Sequence, residues 1–466
     1  MSFSRLLFIT LIATKSLFGQ VKNEVSPNII LIVADDLGYA DLGTYGSKRI
    51  ETPQLDKMAK EGLQLNQFYA ASAVCTPTRV SILTGNYPLR YNVSQHFNDK
   101  EMYLDNTMLT IPKLLNSKGY NSMHIGKWHL GGLNEKHIQN RKESPPGPLQ
   151  HGFDHYLTML EDTLYRAPAM KEKRLYKDAG KYLVKDEKRL PPNNDHWTSL
   201  KFDAAKKYIE EQNNSKKTFF LNLWLDAPHA PYEYSTDSLI ANYKHRTNGQ
   251  DLLYRAMVSQ IDKGVGEILA LLKDLDIAQN TLVIFTSDNG PAFLGSSGIY
   301  KGRKTDFHEG GIRVPFIAWW PSKIAPNKIS NSLANTIDLL PTFATISNST
   351  IEEQHKIDGI DLSELFLKNI EVEERPTMFF QISNRYKNNW NYVNTIDEPI
   401  HPVANQIARK GDWKLLALEG EYIELYNLKE DPYERWNLLN QYPKIAEKLV
   451  TELRTWLNEP RKEKPY

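Results

Sequence analysis

Residues 28–36 read Asn-Ile-Ile-Leu-Ile-Val-Ala-Asp-Asp, an apolar run that ends in two adjacent carboxylates. Five consecutive β-branched or leucine side chains predict a strand that is buried on both faces, as the strands of a parallel sheet are. Two acids at the end of a buried strand repel each other unless a cation or a proton joins them. This stretch therefore predicts an α/β fold, with Asp35 and Asp36 at the edge of the sheet where such proteins bind ligands.

A second stretch repeats this design. Residues 281–289 read Thr-Leu-Val-Ile-Phe-Thr-Ser-Asp-Asn, so an apolar strand again ends in oxygen-bearing side chains, those of Asp288 and Asn289. Together the two pairs offer only oxygen ligands, which suit a hard divalent cation, Ca²⁺ or Mg²⁺, better than zinc. The alternative is that each pair only caps the turn or helix that follows, and the occurrence of two such pairs on matching strands argues against it.

Two further predicted strands lead into candidate catalytic side chains. Residues 218–225 precede His229, and a short strand at residues 122–125 precedes Lys127 and His129. Because the carboxyl ends of parallel strands lie along one edge, we expect these side chains in the same crevice as the two polar pairs. Taken singly, each histidine also fits a structural hydrogen-bonding role, and the lysine fits a solvated surface charge.

The only cysteine of the chain lies in residues 73–85, which read Ala-Val-Cys-Thr-Pro-Thr-Arg-Val-Ser-Ile-Leu-Thr-Gly. Proline suits the first turn of a helix, so Pro77 predicts that a helix begins here. Cys75 would lie at its N-terminus, where free N–H groups favour an anion, with Arg79 one turn further along. A nucleophile beside a fixed cation suits an anionic ester substrate, although a lone cysteine is also often a small buried hydrophobe.

The first residues predict export. Residues 1–19 resemble a secretory signal, because Arg5 precedes an apolar run that is too short to span a bilayer. We therefore expect a periplasmic or secreted protein with no membrane span, the alternative being an uncleaved N-terminal anchor. A chain with one cysteine forms no internal disulfide, so in an oxidising compartment Cys75 is expected to be used or modified.

The charge balance offers no general attraction for a polyanion. The chain has 57 basic and 56 acidic residues, so a nucleic acid partner is not expected. Residues Lys171 to Arg189 carry eight basic and four acidic side chains, which suit either a solvated excursion or a basic lip that faces the substrate. Residues 384–401 are rich in Asn, Tyr, Trp and Pro, and form either a sugar-contacting loop or an irregular connection.

Several of these stretches resemble the signatures of the type I sulfatases of the alkaline phosphatase superfamily. Cys75 to Arg79 is similar to the pattern Cys-x-Pro-Ser/Thr-Arg, and Gly119 to His129 is similar to the second signature, which ends in Gly-Lys-Trp-His. Lys304 to Pro315 resembles Lys-x-x-x-x-Glu-Gly-Gly-x-Arg-Val-Pro, with Thr305 in place of the usual glycine, a departure we expect to be harmless. The resemblance runs from residue 27 to about residue 345 and includes parts of the C-terminal region.

The resemblance implies a fold with two parts. The expected architecture is a large mixed β-sheet sandwiched by helices, followed by a smaller C-terminal subdomain with an antiparallel sheet. We place the catalytic domain at residues 20–370 and the subdomain at residues 371–466. Strand-like runs in the subdomain are predicted at residues 377–382, 413–418 and 422–428, with a closing helix at residues 445–457.

The resemblance also implies a cofactor and a modified residue. In this family the cysteine of the signature is oxidised by a maturation enzyme to formylglycine, whose hydrated aldehyde is the nucleophile. For this chain, that implies conversion of Cys75. It also implies one Ca²⁺ that contacts the sulfate, with ligands from Asp35, Asp36, Cys75, Asp288 and Asn289.

The remaining roles follow by the same resemblance. Arg79 would orient the nucleophile, and Lys127 and Lys304 would neutralise the sulfate. His229 would protonate the leaving oxygen, and His129 would be the base that releases sulfate from the enzyme.

The expected substrate is a sulfated carbohydrate, either an algal polysaccharide such as ulvan or carrageenan or a glycosaminoglycan fragment. Three alternatives remain. One is a phosphomonoesterase or phosphonate hydrolase of the same superfamily. The second is a non-catalytic, carbohydrate-binding relative, and the third is a secreted interaction protein in which Cys75 stays a free thiol.

Overall fold

The computed structural model describes residues 26–97, 102–160, 183–191, 196–232, 235–383 and 404–461. The predicted signal at residues 1–19 lies outside the described residues, as do residues 384–401 and the part of the basic insert at residues 171–182. In the described ranges, no helix combines the length and the apolar character that crossing a membrane requires.

The secondary structure elements of the described ranges are numbered here in chain order. The strands are β1 (Asn28–Ala34), β2 (Leu63–Leu65), β3 (Phe68–Tyr69), β4 (Asn121–Gly126), β5 (His155–Met159), β6 (Leu183–Lys185), β7 (Lys188–Arg189), β8 (Phe219–Trp224), β9 (Thr281–Ser287), β10 (Phe316–Trp319), β11 (Lys328–Ser330), β12 (Ala334–Asn335), β13 (Met378–Gln381), β14 (Gln406–Lys410), β15 (Trp413–Leu418) and β16 (Glu421–Asn427). The α-helices are α1 (Pro53–Lys60), α2 (Cys75–Thr84), α3 (Ile111–Asn116), α4 (Glu135–Gln139), α5 (Trp197–Asn214), α6 (Asp237–Tyr243), α7 (Gly249–Asp274), α8 (Glu309–Ile312), α9 (Leu339–Ile346), α10 (Ser363–Lys368) and α11 (Pro443–Leu457).

The main sheet is mixed, with a parallel centre. Within the described ranges, its ten strands follow the order β11-β2-β10-β9-β1-β8-β4-β5-β6-β7. The central strands β9, β1, β8, β4 and β5 run parallel, while β10 and β6 run antiparallel to their inner neighbours. Every residue of β1 from Ile29 to Ala34 has 0% exposure, which explains its continuous apolar sequence.

Helices cover both faces of this sheet because successive side chains of a strand point to opposite sides. Ile29, Leu31 and Val33 pack into one core with residues of α2, α3, α9 and α10. Ile30 and Ile32 pack into a second core with residues of α1, α5 and α7. The predicted fold, a mixed sheet between two helical layers, is confirmed.

A second sheet follows near the C-terminus. It is antiparallel, in the order β13-β14-β15-β16, and one of its faces packs against α11. The sequence predicted three of these strands and missed β14, whose residues Gln-Ile-Ala-Arg-Lys contain only two apolar side chains. Ile407 of β14 packs in one cluster with Val74 and Ile312, so the small sheet contacts the segment that carries the cysteine.

Candidate active site

The carboxyl ends of β1 and β9 bring the two polar pairs into contact. The backbone N–H of Asp36 donates to Asp288 Oδ1 at 3.3 Å, and Asn289 Nδ2 donates to Asp36 Oδ1 at 2.7 Å. Asp35, Asp288 and Asn289 are 0% exposed and Asp36 is 2% exposed. Parallel pairing of the two strands, with Ala34 opposite Ser287, puts the four side chains at the same level of the sheet.

These four side chains, those of Asp35, Asp36, Asp288 and Asn289, form an acidic edge of the sheet that fits a bound cation. Asp35 Oδ1 and Asn289 Oδ1 are buried and have no hydrogen-bond partner among the described residues. Leaving such an atom unpaired costs about 1–3 kcal/mol, so an additional partner is expected. Single ligand atoms of Asp35, Cys75 and Asp288 lie within 4.8 Å of one another, and the same holds for Asp35, Asp36 and His229.

Three basic side chains hold the carboxylates in place. Arg79 Nε and Nη2 donate to Asp288 Oδ2 at 3.0 and 2.7 Å, so this guanidinium orders the acidic edge directly. Lys127 Nζ lies 2.5 Å from Asp35 Oδ2. Lys304 Nζ lies 2.7 Å from the Oδ1 atom of the other strand-end carboxylate, Asp36.

The carboxylates differ in their protonation behaviour. Burial raises the pKa of Asp35, but Lys127, His229 and Arg79 outweigh burial and hold that pKa well below its usual range. Burial and the nearby negative charge of Asp35 raise the pKa of Asp288 well above its usual range. The edge thus depends on positive charge, from side chains or from a cation, to keep its acids ionised together.

The side chain of Cys75 lies beside this edge, at the start of α2. Its sulfur is 3.1 Å from His96 Nε2, 3.3 Å from His129 Nδ1 and 3.7 Å from Lys127 Nζ. Burial raises the pKa of the Cys75 thiol, but Lys127, His96 and His129 outweigh it and hold that pKa well below its usual range. The site therefore stabilises negative charge on the side-chain atom of residue 75, which is what a nucleophile there requires.

Backbone strain marks two of the predicted site residues. Asp36 and His129 adopt left-handed φ angles of 63° and 58°. Such a conformation costs a non-glycine residue about 1–3 kcal/mol and persists where the surroundings enforce it. The Thr76 hydroxyl donates to the His129 carbonyl at 3.0 Å. Burial lowers the pKa of His129 to about 4, so its ring is neutral at pH 7 and can accept a proton.

His229 and Lys304 lie on the more open side of the site. The His229 side chain is 37% exposed, and its Nε2 is 3.5 Å from Asp36 Oδ2. The Lys304 side chain is 14% exposed. A substrate that enters the crevice would meet these two groups before it reaches the buried acids.

All the predicted site residues lie in one group linked by these contacts. Its members are Asp35, Asp36, Cys75, Arg79, Lys127, His129, His229, Asp288, Asn289 and Lys304. Sequence reasoning missed His96, which lies outside the quoted signatures. It also assigned no role to Glu309, although that residue stands within the Lys304 to Pro315 stretch.

Glu309 is the centre of a buried charge network that joins this stretch to the C-terminal sheet. Its carboxylate accepts a hydrogen bond from Tyr69 Oη at 2.6 Å, and lies 3.0 Å from Lys414 Nζ and 3.3 Å from Arg409 Nη1. Lys414 also pairs with Glu434 at 2.8 Å. Burial raises the pKa of Glu309, but the basic groups, Lys414 first, outweigh it and hold that pKa well below its usual range.

We expect Lys414→Met to destabilise the protein strongly, by about 3–5 kcal/mol, because two buried carboxylates would lose the cation between them. The matched control is Lys410→Met, since Lys410 is 46% exposed and its ion pair with Glu452 is worth at most about 1 kcal/mol. Urea unfolding curves of the two variants test this. If the Lys414→Met and Lys410→Met variants unfold at the same urea concentration, the charge network around Glu309 does not stabilise the protein.

Thr305, which replaces the glycine usual in the resembling family, has a left-handed φ of 73°. Its N–H donates to the Ala73 carbonyl at 2.9 Å, which holds this strained conformation next to the cysteine segment. Because a β-branched residue is disfavoured there, we expect Thr305→Gly to stabilise the protein by about 1 kcal/mol. Thr305→Ala keeps the left-handed penalty and should give no gain. A lower melting temperature for Thr305→Gly in calorimetry would contradict the strain.

Comparison with known proteins identifies the family. The sulfatase family profile matches residues 27–349 of the chain. The chain belongs to the sulfatase family. A second profile, that of the C-terminal part of N-sulphoglucosamine sulphohydrolase, matches residues 295–463. The predicted family is confirmed, and the protein is a sulfuric ester hydrolase.

Individual sulfatases resemble this one over most of their length. The N-acetylgalactosamine-6-sulfatase of Sus scrofa is 34% identical over 444 residues, which cover 88% of this chain and 81% of the relative. The N-acetylgalactosamine-6-O-sulfatase of Bacteroides thetaiotaomicron is 27% identical, with 92% of each chain covered. The crystal structure of Ps i-CgsB in complex with k-i-k-neocarrahexaose superposes with a TM-score of 0.80, at 27% identity over 95% of both chains.

Proposed function

We propose that this sulfatase hydrolyses sulfate esters on a carbohydrate, with a formylglycine made from Cys75 as the nucleophile and one bound Ca²⁺. One observation carries the proposal: the side chain of residue 75 lies between an acidic edge with unpaired oxygens and a set of nitrogen-bearing side chains. An anionic ester can be held by that arrangement and attacked at the same point.

The cation would be held by Asp35, Asp36, Asp288 and Asn289, with the side chain of residue 75. Ca²⁺ is favoured over zinc because the four strand-end ligands are oxygen donors. When bound, the cation supplies positive charge that polarises a sulfate oxygen. The unpaired Asp35 Oδ1 and Asn289 Oδ1 atoms support this assignment.

Formylglycine at position 75 would put an oxygen where the structure has Cys75 Sγ. The conversion is a two-electron oxidation in which the sulfur leaves as sulfide and one oxygen enters from outside the chain. The maturation enzyme would supply an external oxidant, such as dioxygen, that accepts the two electrons and two protons. The basic groups around Sγ that lower the pKa of the thiol would stabilise negative charge on this oxygen in the same way. The segment from Cys75 to Arg79 would be the part that the maturation enzyme reads.

The other side chains would act on the sulfate and on the leaving group. Lys127 and Lys304 would neutralise the sulfate from two sides. His229 would protonate the leaving sugar oxygen, a role that its exposure on the open side supports. His129, neutral and 3.3 Å from the side chain of residue 75, would accept the proton when sulfate is released. Each such proton transfer typically contributes about 10²–10⁴-fold to the rate.

The substrate would be a sulfated oligosaccharide derived from an algal polysaccharide or a glycosaminoglycan. The relatives support this class. Two of the similar sequences are N-acetylgalactosamine 6-sulfatases, and the similar crystal structure of Ps i-CgsB contains k-i-k-neocarrahexaose. Export to the periplasm or the medium, proposed from residues 1–19, would bring the enzyme to such polymers. The basic insert at Lys171 to Arg189 would help to hold neighbouring sulfate groups.

The experiment compares kcat/KM for three substrate classes at low and physiological salt: sulfated oligosaccharides, a chromogenic aryl sulfate and an aryl phosphate. We expect the best oligosaccharide to exceed the aryl sulfate by about tenfold or more, because sugar contacts remote from the ester contribute to transition-state binding. Preference for the aryl sulfate would contradict the carbohydrate assignment. Preference for the phosphate would favour the phosphomonoesterase alternative.

A further inference from the structure

His96 is the nearest nitrogen-bearing neighbour of Cys75 Sγ in the contacts described above. The distance from His96 Nε2 to the sulfur is 3.1 Å, against 3.3 Å for His129 and 3.7 Å for Lys127. The His96 ring also stacks on the His129 ring, with centroids 5.5 Å apart and planes 18° apart. The two imidazoles therefore form a pair on one side of residue 75.

The chain fixes the position of His96 on both sides of it. The next residue, Phe97, is 7% exposed and belongs to the core on one face of the main sheet. Two residues earlier, the Ser94 carbonyl accepts a hydrogen bond from the N–H of Ser383 at 2.8 Å, just beyond β13. Because the backbone on both sides of His96 is anchored in this way, the position of the imidazole next to residue 75 is fixed.

His96 differs from its two partners in exposure. Lys127 and His129 are 7% and 6% exposed, whereas His96 is only partly buried. It therefore contacts the side chain of residue 75 and keeps part of its own surface exposed. When sulfate leaves the covalent intermediate, the bond between the side-chain carbon of residue 75 and the oxygen that links it to the sulfate breaks, and negative charge develops on that oxygen. A fixed N–H donor to this oxygen stabilises the transition state more than the ground state.

We propose that His96 is a further catalytic residue, donating a hydrogen bond from Nε2 to the oxygen of residue 75 as the sulfate ester reacts. The inference rests on the proposed function, since Cys75 Sγ is taken to stand for the formylglycine oxygen. The stack with His129 also fixes the plane of the His96 ring, and this plane directs Nε2 toward residue 75.

The test uses matured full-length protein in which mass spectrometry shows the same extent of conversion at residue 75 for every variant. We expect His96→Ala to lower kcat by about 10–100-fold with KM changed by less than about threefold, since one donor to a developing negative charge is lost. His96→Gln, which keeps an N–H donor of similar reach, should recover at least part of kcat. His155→Ala is the control, because His155 pairs with Asp186 and its side chain is 46% exposed.

Two results would overturn the assignment. One is a kcat for His96→Ala equal to that of the unmodified sequence. The other is a rise in KM alone, which would make His96 a binding residue. If His96→Ala does not fold, His96→Asn replaces it, since its shorter side chain does not reach residue 75, and an unchanged kcat there overturns the proposal. Inactivity of the unaltered protein toward every sulfate ester would instead contradict the proposed function.

Discussion

Replacing Cys75 by alanine is expected to abolish turnover while the protein keeps its fold. The substitution removes the atom around which His96, His129 and Lys127 are arranged, and loss of a nucleophile typically costs more than about 10⁴-fold in kcat. The volume change is a single buried sulfur at the first residue of α2, so the helix should remain. The measurements are kcat for a sulfate ester, and circular dichroism with thermal melting for the fold.

Ser72→Ala is the matched control for this variant. Ser72 is 0% exposed in the same segment, and its hydroxyl has no hydrogen-bond partner among the described residues, so its loss should leave both activity and melting temperature nearly unchanged. Activity of Cys75→Ala within about tenfold of the unaltered protein would show that residue 75 is not the nucleophile.

The second large effect is expected at Asp288, where Asp288→Asn should lose the bound cation and the activity together. The substitution removes one negative charge from the acidic edge but keeps an oxygen that can accept the hydrogen bonds of Arg79, at 2.7–3.0 Å in the present structure. Asp288→Ala should do the same at a greater cost in stability, because Arg79 is fully buried and would lose its main partner. Elemental analysis gives the cation content, and steady-state assays give the activity.

The variant His229→Ala tests whether activity can be lost without loss of the cation. Its side chain is on the open side of the site, so we expect the activity to fall while the cation content stays near one per chain. Full calcium content and activity in Asp288→Asn would contradict the proposed ligand set. Stoichiometric zinc in the unaltered protein would contradict the choice of calcium.

The centre of the fold was predictable because its strands leave a strong pattern. β1 and β9 lie in the middle of the sheet, and burial on both faces requires the continuous apolar runs that the sequence shows. Edge elements carry less information. β7 has two residues, both exposed. β14 lies inside the small sheet, but only two of its five side chains, those of Ile407 and Ala408, are apolar, so its sequence does not stand out either.

The grouping of the site was predictable from one rule, that parallel strands carry their carboxyl ends to the same edge. The individual partners were not. Arg79 and Asp288 are 209 positions apart in sequence, and Glu309 and Lys414 are 105 apart. Only the folded structure reveals that Arg79 pairs with Asp288 and that Lys414 pairs with Glu309. The sequence predicted that Arg79 orients the nucleophile, and that role stays a prediction. Its hydrogen bonds to Asp288 and to the Lys127 carbonyl could not be read from the sequence.

The position of His96 beside the sulfur could not be predicted from a sequence motif. It stands 21 positions after Cys75, in a stretch without a repeating apolar pattern, and nothing in its neighbours distinguishes it from a surface histidine. Its contact with the sulfur depends on the anchoring of Ser94 and Phe97, which are held by parts of the chain that are distant in sequence.

Residue 75 is proposed to be a formylglycine, and the most direct test is the mass of the peptide that contains it. The measurement uses protein of full specific activity, made together with a maturation enzyme and digested without a thiol-blocking step. We expect a peptide about 18 Da lighter than the cysteine form, as the exchange of CH₂–SH for CHO requires for this activated nucleophile. Finding only the unmodified thiol in fully active protein would contradict it.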